Sequence, residues 1–351
     1  MKKHNKPIIL TALIITIITV FCSCTAPNTV STDTEYKLAM ITELFPVEGL
    51  ENYQLAETAI KGDTVSASAW KALNEYRKTT YDSSLKTVEA IKYYTPAEAK
   101  GSDNVSYSVA FREAAKKQFE LAAAGKANLI VTTNDDFSQA YLECKDVTKT
   151  FGEVSFVLIT VPGSIVSNPA SLNAKTTAVV IDTAQYGYLF GYYAAEKGFK
   201  KVGYVGADNN TSAAFSAGLK KAAEDLGIEI VTTLTSSGPI EAIIKEDIAK
   251  TDAELLIGDE LTMSYVASSG KKYASIYKDD AAQFYVTADT EVLTSKLTAV
   301  ITTARQTTAG TVKTLSASDG IFISSEGTLP KIPDITVPGA TDTQTGETTT
   351  Q

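Results

Sequence analysis

Histidine is almost missing from this chain: His4 is the only one in 351 residues. Cysteine is scarce too, with Cys22, Cys24 and Cys144 the complete set, and Trp70 is the single tryptophan. Three cysteines, two of them crowded near the N-terminus, supply neither a framework of paired disulfides nor a cysteine-built zinc site. His4 sits in a segment expected to be cleaved, so the mature chain is left without an imidazole to serve as base, proton shuttle or metal ligand. No metal site and no cofactor is therefore expected. The phosphate-cradling Gly-x-x-x-x-Gly-Lys-Ser/Thr loop and the His-Glu-x-x-His helix are absent as well. Gly203 and Gly206 in KVGYVGAD make a strand-to-loop turn but lack the third glycine of a dinucleotide fingerprint. Ser83-Ser84-Leu85-Lys86 and Ser102-Asp103-Asn104 imitate two of the three signatures of penicillin-recognising serine enzymes. No Lys-Thr-Gly follows, and Ser268 to Lys271 repeats the first pattern by chance. With no catalytic constellation in view, the chain is not expected to be an enzyme.

What is present begins with a leader. Lys2, Lys3 and Lys6 precede an apolar run over residues 8–21, a pattern matching the positive and hydrophobic regions of a secretory signal. The run is shorter than the ~20 apolar residues that span a bilayer. It ends at Phe21-Cys22-Ser23-Cys24, which resembles a bacterial lipobox and makes Cys24 the expected lipidation site. Two acyl chains on that cysteine are enough for stable anchoring, which implies a position on the outer face of the cytoplasmic membrane. Loss of Lys2, Lys3 and Lys6 takes 32 Lys and Arg to 29 against 41 Asp and Glu, a net charge of −12. That sign disfavours nucleic acid as a partner. Cys144 remains as a buried, apolar-type thiol.

Residues 24–35 read as a polar, Thr-rich tether, and residues 329–351, rich in Pro, Thr and Gly, as a disordered tail. Between them strand-like and helix-like segments alternate. Residues 128–132 (NLIVT) and 154–161 (VSFVLITV) are continuous apolar runs, as are shorter stretches at 36–42, 87–94, 177–181, 201–205, 228–234, 254–257, 273–277 and 283–287. Helical spacing separates them at 66–77, 107–124, 137–147, 184–196 and 215–226, the last stopped by Gly227. Apolar strands alternating with helices predict parallel sheets covered on both faces, an α/β fold. The rhythm occurs in each half, which predicts two lobes. The first takes residues 36–160 plus about 284–310, and the second 161–283 plus about 311–328, with the chain passing between lobes near 160–178 and 278–310.

Several segments carry a family resemblance. Residues 128–141 (NLIVTTNDDFSQAY) with 154–159 (VSFVLI), residues 186–206 (YGYLFGYYAAEKGFKKVGYVG), Phe215-Ser216-Ala217-Gly218 and Val292-Leu293-Thr294-Ser295 stand in the order of the matching motifs in the basic membrane protein family. The chain resembles a divergent member of that family of purine-nucleoside-binding lipoproteins. The resemblance implies a two-lobed type I periplasmic-binding fold and a monomer that hands its solute to the permease and ATPase of an ABC importer. It also implies a purine nucleoside or related ribose-containing ligand. There are departures: Gly62, Val65 and Ser66 replace the family's acid, aromatic and asparagine before Trp70, and the crossover segment reads Ile181-Asp182-Thr183-Ala184-Gln185.

In open α/β sheets ligands bind beyond the carboxyl ends of the strands. The residues expected there are Asn134, Asp135, Asp136 and Phe137 after 128–132, Asp182 and Tyr186 after 177–181, Asp259 after 254–257 and Asp289 after 283–287. Carboxylates accept the paired hydroxyl donors of a ribose, and Phe137 offers a face to a base or a staple to its own helix. Several also suit helix N-caps: Asp135 or Asp136 before the helix at 137, and Asp182 or Thr183 before the next. The same anchor and fold without a transporter would make a surface sensor or adhesin.

Overall fold

A computed structural model of the full chain describes residues 38–41, 64–80, 91–94, 104–133, 135–145, 149–161, 165–166, 168–207, 210–235, 245–246, 248–259 and 262–337. Every element below belongs to the unit Tyr36–Gln351. The leader, Cys24, the tether and residues 338–351 lie outside the described residues, as do residues 81–90.

The first sheet is assembled from strands that are apolar on both faces. β1 (Leu38–Ile41), β3 (Leu129–Thr132) and β4 (Ser155–Ile159) are buried at every position. They run parallel with β2 (Ile91–Tyr94), β5 (Thr176–Ile181) and β11 (Thr311–Leu315) in the order β11-β5-β4-β3-β1-β2. Alternate side chains enter two different layers, as the period of two requires. Leu38, Met40, Leu129, Val131, Val157 and Ile159 join a cluster containing Ala69, Leu73 and Tyr76 of α1 (Thr64–Thr80). Ala39, Ile41, Ile130, Phe156 and Leu158 face Ala115 and Phe119 of α2 (Asn104–Ala124) and Ala140 and Tyr141 of α3 (Asp135–Cys144).

The second sheet orders β7 (Glu229–Thr235), β6 (Lys201–Ala207), β8 (Leu255–Gly258) and β9 (Tyr273–Ala274), again all parallel. β10 (Val286–Ala288) continues it through a parallel bridge between Ser275 and Tyr285 and pairs antiparallel with β12 (Phe322–Ser324). Its helices are α4 (Thr183–Glu196), α5 (Asn210–Leu226) and the short α6 (Met263–Ala267). α4 and α5 approach so closely that a Cβ on Gly218 would lie 1.8 Å from the Ala184 carbonyl oxygen, and one on Gly187 2.0 Å from that of Phe215. α7 (Thr290–Ala304) buries Leu293, Leu297, Val300, Ile301 and Ala304 at helical spacing and packs on α1, the first sheet's helix.

The α/β class and the helix-flanked parallel sheets agree with the sequence reading, but the distribution of strands corrects it. Residues 161–283 and 311–328 were expected to travel together. Instead β5 pairs with β4, and β11 pairs with β5, so both complete the first sheet. β10, in the segment expected with the first lobe, joins the second sheet. The chain passes between the sheets three times, at 181–183, 288–290 and 315–322. The composition of residues 329–351 suggested a tail without packing, yet Leu329 and Ile332 pack on the core.

Candidate functional site

The three crossings fix where the strand ends lie. β5 stops at Ile181, and Asp182 immediately caps α4, which packs on α5 and on β10 of the second sheet. β10 stops at Ala288 and Asp289 caps α7, which returns to the first sheet. Crossings this short hold the carboxyl edges of the two sheets side by side. They are also bonded to one another: the Asp182 amide donates to the Leu315 carbonyl at 2.8 Å and the Asp289 amide to the Ile321 carbonyl at 2.7 Å.

The carboxylates at these edges are held by the backbone. Asp182 accepts from the Gln185 amide at 3.0 Å. Asp289 accepts from the amides of Glu291 and Val292 at 2.9 and 3.1 Å. Asp259 closes β8, accepting from the Thr262 amide at 2.9 Å and from the Ser212 hydroxyl at 3.3 Å, and Thr262 in turn donates to the Val205 carbonyl at 2.7 Å. Asp182 and Asp289 thus act as helix N-caps and Asp259 ties the turn after its strand, and each of these three is only partly buried at a strand's carboxyl end. Burial raises the Asp182 carboxyl above its ordinary range, against the lowering effect of the Gln185 and Ala184 amides. Burial also raises the Tyr204 phenol beneath Asp259, and the Asp259 charge adds to it.

The aromatic candidates are occupied with packing. Phe137 is fully buried under the first sheet, in the cluster with Tyr141 and Phe156, so it staples α3 to the core. Tyr186 lies flat against Phe322, with ring centroids 4.8 Å apart and planes 2° from parallel, and its hydroxyl donates to the Val286 carbonyl at 2.7 Å. Asp135 and Asp136 open α3, and Asn134 lies outside the described residues. Among the described residues no group of three or more His, Cys, Asp or Glu side chains is placed to hold a metal ion.

Other edge residues escaped the sequence reading. The buried hydroxyls of Ser66 and Thr133 meet at 2.7 Å and tie the start of α1 to the end of β3. Thr160, directly after β4, has a φ of 59°, a left-handed backbone that a β-branched residue rarely adopts. Its carbonyl accepts from Ser138 at 2.9 Å and its amide donates to Val179 at 2.9 Å, so the strained turn is held from both sides. Hydroxyl residues of this kind are too common for a single sequence to mark them.

No family model matches the chain, and no curated protein matches it either. Solved structures do. The chain is similar to an ABC transporter solute-binding protein from Conexibacter woesei, with 15% identity, a TM-score of 0.52 and coverage of 87% of this chain and 91% of that one. It is also similar to an ABC domain from Streptococcus pneumoniae in complex with L-Trp, with 13% identity, a TM-score of 0.55 and coverage of 83% and 91%. A transcription regulator like protein from Staphylococcus haemolyticus matches with 12% identity, a TM-score of 0.51 and coverage of 85% and 98%. The fold of this chain is that of the periplasmic-binding-protein type, two parallel sheets with helices on both faces joined by three crossings.

Proposed function

We propose that this chain is the solute-binding component of an ABC importer, a divergent relative of the basic membrane protein family, anchored through Cys24 on the outer face of the cytoplasmic membrane. In this reading it is a non-enzymatic monomer with two lobes, one around each sheet. It takes a purine nucleoside or related ribose-containing solute between them and delivers it to a permease and ATPase. The observation that carries the proposal is the juxtaposition of two carboxyl edges, each bearing backbone-fixed carboxylates, across three short crossings. Asp182, Asp259 and Asp289 are oriented by amides and present acceptors to a polyhydroxy ligand. With Phe137 and Tyr186 engaged in packing, recognition rests on the ribose hydroxyls more than on stacking by these two rings. The regulator-like neighbour favours one second reading, a surface sensor that binds the same solute without a transporter.

The test is a thermal-shift and calorimetric panel of adenosine, guanosine, inosine, free ribose, other sugars and amino acids. A ligand at 100-fold its Kd adds about 2.7 kcal/mol of stability, a shift read easily by either method. Nucleosides are expected to bind, and Asp289→Ala and Asp259→Ala to weaken them. A response only to amino acids ends the nucleoside assignment, and no response to any solute ends the binding-protein reading.

A further inference from the structure

The third crossing differs from the other two in being gripped from both sides. Between β11 and β12 the chain runs through Ser316, a single 3-10 turn (Ala317–Asp319) and Gly320, whose φ of 76° turns it into the second sheet. From the first sheet's side, Lys296 of α7 donates to the Asp319 carboxylate at 3.0 Å. From the second sheet's side, Gln185 of α4 accepts from the Ala317 amide at 3.0 Å. Asp319 uses its other oxygen for the Ser316 amide at 3.0 Å. The carbonyls at either end of this segment, Leu315 and Ile321, receive the Asp182 and Asp289 amides of the other two crossings. Every crossing is therefore hydrogen-bonded to the third one, and the third one is fixed by one side chain from each sheet's helices.

We propose that the Lys296–Asp319 ion pair and the Gln185–Ala317 bond form a latch that makes the three crossings open as one unit, so that the hinge between the sheets bends cooperatively rather than strand by strand. A hinge is a few element-terminal residues that absorb backbone rotation. Here those residues are connected, and a rotation that lengthens one crossing's bond strains the next. Lys296 and Asp319 are positioning residues in this scheme. Asp319 lies in the third crossing and Lys296 on α7, neither among the edge carboxylates, so the latch is independent of which solute the protein takes.

The experiment is hydrogen–deuterium exchange on the purified full-length protein in detergent without ligand, resolved to the amides of Asp182, Asp289, Ser316 and Ala317. In Lys296→Met the caps made by Asp319 stay in place, and only the grip from α7 is lost. Exchange at Asp182 and Asp289 should rise together with that at Ala317 by about two- to fivefold, the range expected of a partly exposed ion pair. Amides of β3 and β6 should keep their wild-type rates, Lys296→Arg should restore protection, and Gln185→Leu should reproduce the effect. Acceleration confined to residues 316–319, or an effect of Asp319→Asn with none from Lys296→Met, would overturn the latch and leave a local cap. Because no ligand is present, failure here is separable from failure of the solute panel.

Discussion

At the residue scale, Asp182 sets stability against the ligand contact proposed for it. Its carboxyl is raised by burial, so the native state holds the proton more tightly than the unfolded chain does. Stability contributed by this group is therefore present below the unfolded value of about 3.9 and is lost as pH rises through the higher folded value. Asp182→Asn keeps an oxygen for the Gln185 amide and removes the ionisation. The variant should be more stable than wild type at pH 7 in urea titrations, with the difference shrinking as pH approaches about 4. If the carboxylate is kept for a ligand, the same variant should bind nucleosides more weakly. Equal or lower stability at neutral pH would show that its caps outweigh its burial. The sequence exposed this position through its place after an apolar strand, but the reasons that Phe137 and Tyr186 are engaged elsewhere were not legible. Phe137 drops into a layer built by α2 and β4, and Tyr186 finds Phe322, which is distant in the chain.

At the element scale, the strands buried on both faces and the helices ended by glycine were readable. LIVT, SFVLI and LLIG announce themselves by unbroken apolarity, and α5 ends at Leu226 before Gly227 with its φ of 70°. β11 was not readable, because TVKTL at the sheet's edge is exposed at Lys313 and Thr314 and carries no burial signature. Nor could composition say which sheet β5 joins, since parallel pairing is settled by neighbours far apart in sequence. The α4–α5 contact was visible only as scattered glycines. Its geometry gives a sharp expectation: Gly218→Ala forces a methyl against backbone atoms of Ala184 and Tyr188 that cannot rotate aside. The loss should be about 3 kcal/mol, at the upper end of overpacking costs, measured as a lowered urea midpoint with unchanged slope. A variant of wild-type stability would mean that the two helices separate freely.

At the scale of the whole molecule, among the described residues no helix is long and apolar enough to cross a membrane. Membrane attachment in the proposed function therefore rests on the leader and Cys24. Cys24→Ala should release the protein from membranes in detergent-free fractionation. Retention with an uncleaved leader would instead make the hydrophobic segment the anchor. The sequence suggested two α/β lobes, and the three crossings explain why its boundaries missed: neither sheet is a continuous stretch of chain. This threading bears on biosynthesis. β5 is made early, and its outer partner β11 emerges only after every strand of the second sheet except β12 has been synthesised. Until then β5 is an open edge of a parallel sheet, a row of unpaired amides and carbonyls of the kind that recruits other chains. An interrupted or truncated chain ending before Thr311 keeps that edge open, so this protein's weakest moment lies in the interval between translating its fifth strand and its eleventh.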